Sequence, residues 1–308
     1  MTPSTLASRV LAFADRHAVE GEPFATDIAG FSVMRHFRPT ELLPVLYQPI
    51  FCLVLQGAKQ AMLGKETITF TQGQSVIVSL DLPTFARVVV AERDRPYLAL
   101  ALEIDMSIIN ELAAEIDAAH DDREAPGAVA SGAADGAILN AMERLFALID
   151  QPAASAILRP LILREIHFWL LSAEHGGMLR QLARASSNAA RISEAIAQIR
   201  RGFDAPLRIP EIARAVGMSE SAFHHHFKAI CGTTPLQFQK RLRLIEARRR
   251  IIAEGLSVSA AAAAVGYESP TQFSREFARM FGTAPRDYRP SRAHALGGDH
   301  IAAASYML

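Results

Sequence analysis

The stretch that decides the fold is IPEIARAVGMSESAFHHHFKAICGTTPLQF, residues 209–238. Ile209, Ile212, Ala213 and Val216 form one helical stripe, and Gly217 supplies the backbone freedom to end it. Ser219 is a good N-cap for a second helix. Advancing about 100° per residue from Phe223 brings Phe227 and Ile230 beside it as a core face, with His226 some 60° away as a partly buried packing residue. Ser221, His224, His225 and Lys228 lie opposite, facing outward. Three consecutive histidines invite a metal reading, which geometry refuses. Zinc-binding histidines on a helix sit at i and i+4, whereas neighbours about 100° apart diverge.

The pattern recurs as VSAAAAAVGYESPTQFSREFARMFGTAPRDY, residues 258–288. Gly217 and Gly266 are 49 apart, while Phe223/Phe273, Phe227/Phe277, Gly232/Gly282 and Pro235/Pro285 are each 50 apart. The extra residue falls in the turn, where an insertion is tolerable. Landmarks this regular mark a duplicated unit. In the second copy Ser269 is the cap and Pro270 takes the favoured first helical position. Thr271, Ser274, Arg275 and Ala278 turn outward, and Gln272 and Arg279 join them as candidate DNA contacts. Each unit is helix, glycine turn, helix, the plan in which the second helix enters a major groove. Arg275 is suited to a bidentate contact with guanine, worth about 1–3 kcal/mol of discrimination.

Between the units, LQFQKRLRLIEARRRIIAE (236–254) reads as one helix, about 28 Å long at 1.5 Å per residue. Such a rod can hold two recognition helices near the roughly 34 Å that separates successive major grooves on one face of a duplex. Lys240, Arg241, Arg243 and Arg248 to Arg250 are then within reach of phosphates, and about half of them are expected to touch DNA. A plain solvated face is the alternative.

Upstream, residues 31–103 carry short β-rich runs: FCLVLQG, KQAMLGK, ETITF, QSVIVSL, FARVVVAE and YLALALE. About seven strands are expected, in a small barrel or sandwich, with Gly64-Lys65 and Gln72-Gly73 as tight turns between neighbouring antiparallel strands. Helices are expected at 4–18, 106–118, 135–149 and 155–174, a loop at 125–137 and an interdomain linker around 181–188. The fold class is therefore α+β: a cupin-like β-barrel (24–104) with flanking helices (105–176) in a first domain of residues 1–183. An all-α domain of two helix-turn-helix units joined by a long helix (184–290) and a tail (291–308) follow.

Charge agrees with this division. Residues 188–289 hold 16 Lys and Arg against 9 Asp and Glu, whereas residues 1–187 hold 15 against 22. A basic C-terminal half suits a polyanion partner. The chain has 2 cysteines, Cys52 and Cys231, too few for a disulfide framework, so a reducing cytoplasm is expected. No apolar run reaches the roughly 18 residues of a membrane span, and the N-terminal stretch lacks a signal peptide's apolar core.

At these residues the chain resembles the C-terminal DNA-binding domain of the AraC/XylS family of bacterial transcription regulators. The marks are the paired units, Arg241, Leu242 and Ala247 in the linking helix, and the ending GYESPTQFSREFARMFGTAPRDYR. The stretches YQPIFCLVLQGAKQAMLGKETITFTQGQSVIVSLDLP and RPYLALALEID resemble the cupin-like N-terminal domain of one AraC-type branch. The resemblance implies a transcriptional activator controlled by a small-molecule effector in the barrel, engaging double-stranded DNA in two successive major grooves, RNA polymerase and a second copy of itself. It also implies that arginine is frequent at the position of His225, so the first unit reads bases or holds phosphate differently here.

Two other readings compete. A cupin metalloenzyme with a DNA-binding appendage would draw two or three histidines and a carboxylate from neighbouring strands. The β-rich region contains only His36, and no nucleophile motif or phosphate-binding glycine loop is present, so neither catalysis nor a metal or other cofactor is expected. A redox- or electrophile-sensing regulator would act through Cys52, if that thiol faces the barrel pocket and its thiolate is stabilised. Gln56 is a second candidate at the barrel mouth, and the adjoining Gly57 fits either the mouth or a simple turn. Phe168 and Trp169 are expected to pack between helices, at a dimer interface or within the fold.

Overall fold

The structure, a computed structural model, describes residues 3–116 and 127–288. The expected tail, residues 117–118 of the second helix and residues 125–126 of the expected loop lie outside the described residues.

Helix α1 (Pro3–Arg16) precedes nine strands: β1 (Phe24–Ala25), β2 (Phe31–His36), β3 (Leu43–Tyr47), β4 (Ile50–Gln56), β5 (Ala58–Leu63), β6 (Glu66–Thr71), β7 (Gln74–Val78), β8 (Leu82–Val90) and β9 (Tyr97–Glu103). Then come α2 (Met106–Ile116), β10 (Val129–Ala133), α3 (Gly136–Ala147), α4 (Pro152–Ser172) and α5 (Gly177–Leu182). The strands form two antiparallel sheets, ordered β1-β2-β9-β4-β7-β10 and β3-β8-β5-β6.

Alternation along the strands explains the layering. In β4, Phe51, Leu53 and Leu55 face α1 to α5, while Cys52 and Val54 face the second sheet. In β9, Leu98, Leu100 and Leu102 join the helical layer, whereas Tyr97 and the small residues Ala99 and Ala101 face inward. Large side chains thus seal the sheet against the helices, and small ones leave room between the sheets.

Two expectations change here. The segment expected as a loop contains β10, which pairs with β7 from Val129↔Val78 to Ala133↔Gln74. Its small residues permit close approach: a Cβ on Gly132 would stand 2.5 Å from Nδ1 of His175, whose Nε2 lies 2.8 Å from Ser75 Oγ. Gly64-Lys65 closes the β5–β6 hairpin as expected, but Gln72-Gly73 links β6 and β7, which belong to different sheets.

The second domain holds α6 (Asn188–Arg201), α7 (Ile209–Ala215), α8 (Glu220–Cys231), α9 (Pro235–Ala253), α10 (Val258–Ala264) and α11 (Pro270–Phe281). Ser187, Ser219, Thr234, Ser257 and Ser269 each cap a helix through the side-chain oxygen. The duplication is geometric as well as sequential. Gly232 and Gly282 end the recognition helices α8 and α11 at φ 66° and 75°, the left-handed conformation that suits glycine.

The domains touch. Ala128 N–H donates to Ile230 O at 3.0 Å, Arg200 pairs with Asp81 at 2.5 Å, and Gly232 lies so close to Gly64 that a Cβ would stand 2.4 Å from its nitrogen.

Candidate DNA interface and barrel cavity

Phe223, Phe227 and Ile230 are buried beneath α8, and Phe273 and Phe277 beneath α11. That packing fixes which faces remain outside. Ser221, His224, His225 and Lys228 are exposed on α8, as are Thr271, Gln272, Arg275 and Arg279 on α11, while Ser274 is half-buried. Among the described residues no ion pair engages Lys228, Arg275 or Arg279. His226 is half-buried, its ring 5.2 Å from that of His225 in an edge-on arrangement.

The cations of the linking helix α9 have partners within the protein. Arg241 lies half-buried with its guanidinium 5.6 Å above the ring of Phe85 in β8, and burial pushes its pKa down. Arg243 donates to Phe203 O at 2.6 Å, Ala205 O at 2.8 Å and Gly266 O at 2.9 Å. Lys240 pairs with Glu276 at 2.8 Å, Arg249 and Arg250 with Glu246 at 2.9 and 2.8 Å, and Arg248 lies over Phe281. Arg243, Lys240, Arg249 and Arg250 tie the second domain to itself, whereas Arg241 reaches the first domain. Arg241 is thus a candidate DNA contact that also meets the first domain, and all of these α9 cations are half-buried.

The two units are fixed against each other. Arg243 bridges the 203–205 loop before the first unit to the turn of the second. At that turn Gly266 has φ 78°, and an added Cβ would stand 1.8 Å from Asp204 O. Tyr267 Oη donates to Glu276 at 2.8 Å and completes the joint.

Between the two sheets lies a cavity lined by Met34, Tyr47, Cys52, Lys59, Phe70 and Tyr97, among others. Cys52 lines it. Burial pushes the Cys52 thiol up to about 11, with Lys59 opposing, so the thiol is protonated at neutral pH. Burial thus works against the thiolate that such sensing requires. Gln56 is not in this lining: its Nε2 donates to Pro96 O at 2.7 Å beside a register shift in β4. Gly57 has φ 77°, and a Cβ there would meet Val90 O at 2.4 Å, so close approach requires the glycine. Lys59 escaped the sequence reading, although it shares strand parity with buried Ala61 and Leu63. Phe168 and Trp169 stack edge-on at 4.9 Å and pack against the helical layer. Among the described residues no cluster of three metal-ligating side chains occurs.

Comparison with known proteins agrees with this layout. The AraC-type transcriptional regulator N-terminus family matches residues 27–178, and the helix-turn-helix domain family matches residues 212–291. The RCS-specific HTH-type transcriptional activator RclR of Escherichia coli is 37% identical over 81 residues, 26% of this chain and 28% of that protein. The HTH-type transcriptional activator RhaS of Salmonella schwarzengrund is 29% identical over 158 residues, 50% of this chain and 53% of that protein. The chain thus spans about half or less of the length of these relatives. Wild-type ToxT of Vibrio cholerae, solved with an unsaturated fatty acid bound, superposes with a TM-score of 0.54 over 86% of this chain and 95% of that one, at 11% identity. A 1.65 Å structure of ToxT gives a TM-score of 0.56 at 11% identity, covering 84% and 96%. The likeness is one of fold.

Proposed function

We propose, from the premise that this chain belongs to the AraC family of transcriptional regulators, that it is a sequence-specific DNA-binding activator whose two recognition helices read successive major grooves. The observation that carries the reading is the pair of capped units with exposed polar faces, locked at a fixed spacing through Arg243 and Gly266. In this reading His224, His225 and Ser221 approach base edges from α8, and Arg275, Thr271, Gln272 and Ser274 from α11. Lys228 and Arg279 hold phosphate. Hydrogen bonds and apolar contacts to base edges give sequence preference, and the cations give affinity.

The first domain is the control element. A small molecule bound between the sheets shifts the contact between the domains, and with it the presentation of α8 and α11 to DNA and to RNA polymerase. Dimerisation is supported by an apolar exposed stripe on α4, where Ile157 and Leu161 are 70% and 62% exposed one turn apart. No described helix is long and apolar enough to cross a membrane, and the reading places the protein in the cytoplasm with its DNA. The test is a genome-wide binding map of the full chain. Enrichment of one recurring motif supports the reading, and binding that is uniform across sequence at every salt concentration overturns it.

A further inference from the structure

Lys59 lies on β5 and lines the cavity between the sheets. Its ammonium stands 3.6 Å from the thioether of Met34 and 5.6 Å from the centre of the Tyr47 ring. Among the described residues no carboxylate pairs with it. The other titratable groups facing it are Tyr47, Tyr97 and Cys52. Burial pushes the hydroxyl of Tyr97 and the thiol of Cys52 up, so both are neutral at pH 7. Burial opposes the Lys59 charge, but the neighbouring Tyr47, Tyr97 and Cys52 outweigh it and hold the pKa of Lys59 above its ordinary value, so it is a cation at pH 7. The barrel therefore buries a cation with no anion beside it. Such a charge costs several kcal/mol unless something pairs with it.

The remaining wall is apolar: Phe70, Val76, Ala99 and Ala101 surround the lysine. The space is narrow, a cavity of 20 Å³, so even a short chain enters only as the flexible Met34 side chain moves aside. A long chain does not fit beside the lysine without rearrangement of the wall. One cation and two hydroxyls match one carboxylate, whereas a phosphate dianion needs more donors than this wall offers.

We propose that this cavity is a binding site for a short-chain organic acid, whose carboxylate pairs with Lys59 and whose alkyl group packs against Phe70, Ala99 and Ala101. The inference rests on the reading of the first domain as a control element and names the class of molecule that it takes. Tyr47 and Tyr97 donate to the second carboxylate oxygen. The alanines of β9 set the length of the alkyl group, and Met34, which is flexible, adjusts to it.

Calorimetric titration of the full chain with sodium butyrate, at constant ionic strength and without DNA, tests this. Saturable binding of butyrate is expected, with butan-1-ol and octanoate at least about tenfold weaker. Lys59→Met is expected to abolish butyrate binding, and Lys59→Arg to retain part of it. Ala99→Leu, which leaves the lysine in place and fills the space, is expected to abolish it too, so the test survives if Lys59→Met fails to fold. Absence of binding for acetate, propionate, butyrate and pentanoate overturns the proposal. So does butyrate binding that persists in both Lys59→Met and Ala99→Leu, or that butan-1-ol equals. Because DNA is absent from the titration, a negative result with intact operator binding removes this inference alone, while loss of operator specificity in the unmodified chain removes the regulator reading instead.

Discussion

Arg275 and Arg241 look alike in sequence, each an arginine on a basic helix, and the structure gives them opposite environments. Arg275 is exposed on the outer face of α11, and Arg241 lies over Phe85 at the domain contact. Arg275→Ala is expected to cost about 1–3 kcal/mol of specific affinity and to relax preference at one base pair, read by competition with base-substituted duplexes. Lys228→Ala is expected to weaken binding to all sequences and to lower the salt slope by about one contact, whereas Arg241→Ala leaves that slope unchanged. Cys52 gives a pH signature. Its pKa rises from 9.0 to about 11 on folding, so the folded state favours the protonated thiol. The associated stability is complete below pH 9.0 and is lost as pH rises through about 11. Urea midpoints are expected to fall across that window, and the fall is expected to be shallower in Cys52→Ala.

The helix-turn-helix elements were legible because their signals are local. Serine caps, glycine stops and phenylalanines four apart are written within each unit, and each of the caps named at Ser219 and Ser269 is made by the side-chain oxygen. Ser269→Ala is expected to cost about 1 kcal/mol of stability, read from denaturant melts. The joint between the units was not legible, because Arg243, Asp204 and Gly266 meet only in space. Gly266→Ala forces a left-handed backbone on alanine and drives its Cβ into Asp204 O. It is expected to destabilise the second unit far more than Gly217→Ala destabilises the first, since nothing lies within 4 Å of a Cβ there. Strand β10 was missed for a related reason: VASGA carries no alternating pattern, and its partner β7 lies some fifty residues earlier.

At the scale of the molecule, alternation in YLALALE announced a strand, and only the second sheet revealed that its alanines line a cavity opposite Lys59. A lone lysine within a β-rich run reads as an edge or surface residue until the sheet across from it is known. The basic surplus of the C-terminal half points to DNA, and the α9 cations that contribute to it also have partners within the protein. The proposed contacts on α8 and α11 form two short faces held at one spacing. Hydroxyl-radical footprinting of the full chain on its enriched site tests that arrangement most directly. Two protected patches about one helical turn apart on the same face of the duplex, roughly 34 Å, are predicted. A single patch, or protection that does not depend on sequence, would contradict it.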